Sequence, residues 1–114
     1  MGYRRILLLL MLLCSFGAVA TDPHLMGMWR FSKGNPVFSD FELSDIDDER
    51  EFYEWSGELP SGKGVWRWLN GNSIELSWSN GRKEVFVINK LDDKELVLTM
   101  QGSAEPSYFQ KMSN

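Results

Sequence analysis

The sequence predicts an all-β fold, a small antiparallel up-and-down barrel of eight strands, with a two-sheet β-sandwich as the alternative. Three observations lead there. Apolar residues alternate with polar ones at a period of two, the mark of a strand with one buried face. Short turn-forming segments separate the runs, and short connections force neighbours antiparallel, because a parallel return needs a dozen residues or more. Eight strands with one apolar face must bury that face, and closing the sheet removes the edges that an open sheet exposes.

The first twenty residues have a different character. Arg4 and Arg5 precede an apolar run from Ile6 to Leu13 that extends through Cys14 and Phe16. Ala18-Val19-Ala20 then supplies the small residues that a signal peptidase reads. This is the three-part pattern of a secretory signal. The run falls short of the ~20 apolar residues of a spanning helix. Cleavage is expected after Ala20, giving a secreted or periplasmic domain over residues 21–114 with no transmembrane segment. Leu13 stands where a lipid-attachment signal wants a small residue, so Cys14 is not expected to carry lipid. The residues around Arg4-Arg5 do not match a twin-arginine signal.

Cleavage would leave ten basic against sixteen acidic residues, a net charge of −6, and no cysteine. Small exported domains often depend on disulfides because their cores are small. This one must rely on packing, and it keeps Trp29, Trp55, Trp66, Trp68 and Trp78.

Strands are expected at 26–33, 37–44, 51–56, 64–69, 73–79, 82–90, 95–101 and 107–112. Ile74, Leu76 and Trp78 alternate with Glu75 and Ser77; Leu96, Leu98 and Met100 alternate with Glu95, Val97 and Thr99. Trp66 and Trp68 flank Arg67, and Phe86 and Ile88 share a face. Asn70-Gly71 and Asn80-Gly81 suit tight hairpins, since Asn-Gly readily takes positive backbone angles. Leu91–Lys94 and Gln101–Pro106 are the later connections. Within 45–55, Ser44 followed by Asp45, Asp47, Asp48 and Glu49 is also compatible with a capped short helix. Phe52, Tyr53 and Trp55 favour a strand there.

Gly27-Met28-Trp29 opening the first strand, Gly71–Leu76 after a hairpin turn, Phe86–Leu91 leading to Leu96–Leu98, and Tyr108–Lys111 closing the chain together resemble the small exported bacterial lipocalin-like domains of the calycin superfamily. The resemblance spans about residues 25–112. It implies that Trp29, following Gly27, seals one end of the barrel and that Lys111 packs across it, where arginine is more usual. It also implies a small apolar ligand. The chain is shorter than typical lipocalins and lacks their C-terminal helix and disulfide.

The residues themselves offer two binding chemistries. Trp66, Trp68, Trp78, Phe86 and Tyr108 alternate toward the inner face, where they either line an apolar pocket or fill the core. An eight-stranded barrel is just wide enough for either outcome. Asp40, Glu42, Asp45, Asp47, Asp48, Glu49, Glu51, Glu54 and Glu58 are opposed in their stretch by Arg50 alone. That stretch is a solvated surface or a docking face for a basic protein partner, steered by its field. Its spacing lacks the glycine and distal glutamate of a helix-loop-helix calcium loop.

No metal site, cofactor or nucleic-acid partner is expected. A nucleic-acid binder needs a basic face. One cysteine and one histidine do not make a zinc cluster or most nucleophilic triads, and His24 belongs to the amino-terminal tail. Catalysis is not expected. The leading expectation is an exported lipocalin-like protein that binds a small apolar ligand. The alternative is a solid barrel acting as an interaction or inhibitor module through its acidic face.

Overall fold

The computed structural model describes residues 22–112. The signal pattern, Cys14 and the cleavage position lie outside them. The described chain is an all-β closed barrel of eight antiparallel strands in sequence order, which settles barrel over sandwich. The strands are β1 (Gly27–Gly34), β2 (Asp40–Ile46), β3 (Glu49–Ser56), β4 (Leu59–Asn70), β5 (Ser73–Trp78), β6 (Lys83–Leu91), β7 (Glu95–Met100) and β8 (Ser107–Lys111). Each strand pairs with the next, and β8 pairs with β1. No helix among the described residues is long and apolar enough to cross a membrane.

The acidic segment is a hairpin, not a capped helix. Ile46 pairs with Glu49 across a two-residue turn at Asp47 and Asp48, whose φ angles are 54° and 64°. Two left-handed residues in succession give the primed turn that matches strand twist, and aspartate tolerates that region better than most side chains. Gly81 likewise takes a φ of 96° in its turn. Gly71 is not among the positive-φ glycines, so the Asn70-Gly71 turn closes differently: Asn72 N–H donates to Asn70 Oδ1 at 3.0 Å.

Strand β4 begins earlier than its alternation suggests, because Leu59–Lys63 pairs on along β3 despite Pro60, Gly62 and Gly64. Gly64 is there for space. A Cβ at that position would lie 2.0 Å from the Ser77 carbonyl oxygen and 2.6 Å from the Phe52 ring. The missing side chain lets β4 and β5 hold Phe52 edge-on to Trp78, with ring centroids 5.0 Å apart.

The core holds Trp29, Phe41, Leu43, Phe52, Trp66, Ile74, Leu76, Trp78, Phe86, Leu96, Leu98 and Phe109, all from inward strand positions. One further ring comes from outside the strands. Phe38 lies in the β1–β2 connection and turns into the barrel, where it is 6% exposed. Its ring meets Phe41 on β2 at 4.7 Å, Phe86 on β6 at 5.7 Å and Phe109 on β8 at 5.5 Å. Strands β2 and β6 are opposite walls of an eight-stranded barrel, so Phe38 bridges the middle. Aromatic pairs at these edge-on and offset separations are favourable beyond their buried area.

One end is stoppered by the chain's entry. Asp22 caps a 3₁₀ turn at Pro23–Leu25, its carboxylate accepting from His24 N–H at 2.9 Å. The turn buries Leu25 completely, and the Leu25 carbonyl accepts from the Trp29 indole N–H at 3.0 Å.

Candidate functional site

The alternation of β4 points Trp66 and Trp68 to the inner face, against Leu76 and Ile74 of β5. Near the stoppered end the two indoles meet edge to face, with centroids 6.0 Å apart and planes at 72°. Trp66 is 3% exposed, and its N–H donates to the Ser44 carbonyl at 3.0 Å, which fixes the ring against β2. Trp68 is half-buried. Together with Asp22, Pro23, Met26 and Asp45 they line a recess of about 220 Å³. One wall is therefore aromatic, another is the apolar 3₁₀ turn, and two carboxylates stand with them.

A cation already touches the edge of this site. Arg50 pairs with Asp45 across β2 and β3, and its Nε lies 3.2 Å from Asp45 Oδ2. The same guanidinium sits over the Trp66 ring, 5.5 Å from its centroid. Asp22 bonds the His24 ring at 2.9 Å, also through Oδ1.

Closure of the barrel places Trp29 and Lys111 as direct partners across β1 and β8. The Lys111 ammonium lies 4.4 Å from the Trp29 ring centroid and donates to the carbonyls of His24, at 3.0 Å, and of Met26. Burial pushes its pKa down. Gly27, at φ 122°, leaves room for this lysine: a Cβ there would come within 2.9 Å of Nζ.

The other candidates separate from this end. Phe86 is deep in the core, whereas Trp78, held by a hydrogen bond from its indole N–H to Glu54 Oε1, also borders the depression between β3 and β5 and carries the Arg82 guanidinium 4.3 Å from its ring centroid. Tyr108 is a correction to the expected inward set. Ser107 and Phe109 occupy the buried positions of β8, so Tyr108 faces out beside Val97, with the Lys33 ammonium 4.9 Å from its ring centroid. Ser107 can turn inward despite being polar because its hydroxyl donates to the Asn35 carbonyl. Asp22, Pro23 and Met26 were not legible as site residues; they reach the tryptophans only because the chain crosses the barrel end before β1.

A second depression, of about 390 Å³, lies along the outer face of β3–β5, lined by Glu51, Tyr53, Lys63, Val65, Ser77 and Ser79 among others. It is shallow. The Tyr53 hydroxyl is already committed to Glu51, and that hydrogen bond raises the phenol pKa.

The fold and this end of it define a closed up-and-down barrel with an aromatic core and an acidic, indole-lined recess. No family model matches the chain, and no curated protein or solved structure matches it.

Proposed function

We propose that this chain is an exported, lipocalin-like binding module that recognises a basic protein partner through the acidic side of a solid barrel. Phe38 carries the reading. Its ring packs against rings from β2, β6 and β8, so an apolar ligand in the middle of the barrel would have to displace it. Recognition then falls to the surface.

The acidic hairpin supplies that surface. Glu42, Asp45, Asp47, Asp48, Glu49 and Glu51 run along β2 and β3, with Arg50 as the cation among them. Like charges crowded on one hairpin add their fields and attract a basic surface over roughly a Debye length, about 8–10 Å at ordinary ionic strength. Exposed Ile46 at the hairpin and Val65 beside Glu51 supply apolar contact within it. The signal pattern supports export, and the Trp29–Lys111 closure supports the lipocalin-like description.

The test is calorimetric titration with decalysine at low and high ionic strength. Saturable binding that weakens steeply with salt is the expected result. Absence of binding at low salt would overturn the reading. So would native mass spectrometry showing an apolar molecule retained by protein recovered from its own export route.

A further inference from the structure

We infer that the recess between the 3₁₀ turn and β4 receives the side chain of one partner lysine, its stem against Trp66 and Trp68 and its ammonium between Asp22 and Asp45. The inference deepens the proposed acidic-face reading and rests on it.

The recess has the chemistry of an alkylammonium site. An ammonium over an indole is attracted by the ring quadrupole, most strongly where water is displaced. Two indoles meet here edge to face and line a recess of about 220 Å³ with Pro23 and Met26. A lysine stem lies well along apolar surface while its head stays with polar groups. The heads available are carboxylates. Among the described residues, Asp22 bonds through Oδ1 and Asp45 through Oδ2, leaving Asp22 Oδ2 and Asp45 Oδ1 without a hydrogen bond.

The protein itself shows the pairing at the edge of the site. Arg50 combines the Trp66 face with the Asp45 carboxylate. It reaches Trp66 and Asp45 from β3 and is not among the residues that line the recess, whose other walls are Asp22, Pro23, Met26 and Trp68. The neighbouring cation, Lys111, does not compete for these carboxylates, because its ammonium is bound to the carbonyls of His24 and Met26 and lies over Trp29. A lysine from outside would therefore meet an aromatic wall and two partly used acids.

The probe is n-butylammonium, with butan-1-ol as its neutral counterpart and decalysine as the partner surrogate. Binding is read from tryptophan fluorescence and from the indole N–H signals in NMR spectra. The expected result is saturable binding of n-butylammonium and not of butan-1-ol, weakened about five- to tenfold in Trp68→Leu and in Asp45→Asn. Arg50→Ala should tighten it, by uncovering Asp45 and Trp66. Asp22→Asn, outside the strands, gives a second carboxylate variant if Asp45→Asn disturbs the hairpin. Equal binding of butan-1-ol overturns the inference, as does n-butylammonium binding unchanged in Trp68→Leu. Decalysine binding without any n-butylammonium binding refutes the lysine site and leaves the acidic-face reading standing. Failure of both probes refutes both.

Discussion

Replacing Phe38 by alanine tests whether the barrel is solid because of one ring. Burying a phenylalanine side chain is worth about 1.5–3 kcal/mol. Removing all but its Cβ leaves a void of about 100 Å³, which at ~24 cal/mol per Å³ adds about 2 kcal/mol. Phe38 hangs from a connection rather than a paired strand, so the loop can partly collapse, and the loss should fall near about 3 kcal/mol, the low end of Phe→Ala values. For a domain of this size that is a fall in Tm of about 12–24 °C. Typical domains hold about 5–15 kcal/mol in reserve, so the variant should remain folded. The remaining walls, Phe41, Phe86 and Phe109, are apolar. A dry apolar void of this kind accepts benzene or xenon. Urea denaturation gives the loss, and benzene should restore part of it in the variant and do nothing for the parent. An unchanged urea midpoint, or equal stabilisation of parent and variant by benzene, would refute the claim that Phe38 fills the middle.

Two further outcomes follow from the barrel's closure and turns. Trp29→Ala removes a fully buried indole and should cost about 3–5 kcal/mol, read as a fall in the urea midpoint at least as large as that of Phe38→Ala. Lys111→Ala should cost much less, since it removes a partly buried cation whose charged form burial disfavours; equal losses in the two variants would refute the assignment. Asp92 accepts from the N–H groups of Lys94 and Glu95 at 2.8 and 2.7 Å, and these bonds lower its pKa from 3.8. A lowered carboxyl favours the folded state above its unfolded pKa and loses that contribution as pH falls through the folded value. The difference in urea midpoint between the parent and Asp92→Asn should therefore shrink below about pH 4, and a difference constant with pH would contradict it.

The strands were legible because the period of two is imposed by the pleat itself. All eight expected strands overlap observed ones, and β5 and β7 differ by one residue at their ends. The misreadings have local causes. Val37 and Phe38 are as apolar as a strand and extend the β2 pattern back to residue 37, yet Val37 N–H bonds the Asn35 carbonyl in a turn and the paired strand starts at Asp40. Pro60 and Gly62 look like a loop, yet β4 pairs with β3 from Leu59 on, and Gly64, the first residue of the expected strand, lies where the β5 backbone and the Phe52 ring converge. Tyr108 reads as inward because aromatics usually bury, but its small neighbour Ser107 takes the inward position.

The site was harder to read than the fold, for a reason that lies in barrel geometry. Alternation says which wall a side chain faces; it does not say how far along the axis it sits or what reaches it from elsewhere. Trp66 and Trp78 occupy inward positions of adjacent strands, but one lines the recess at the entry end and the other packs on Phe52. Height on the axis comes from strand stagger, a property of all eight strands together. The same holds for the cavity. Strand number fixes the barrel's width, so whether the interior is open depends on what enters it from the ends. Here Phe38 enters from the β1–β2 connection and Leu25 from the 3₁₀ turn, both buried and neither on a strand. Counting aromatics along strands cannot detect that. The two segments that close the interior are connections, and one of them, the 3₁₀ turn, also brings Pro23 and Met26 beside Trp66 and Trp68. Closing the core and building the recess are thus a single structural event at this end. A substitution such as Leu25→Ala should therefore disturb recess and core together, whereas Asp22→Asn should alter the recess alone.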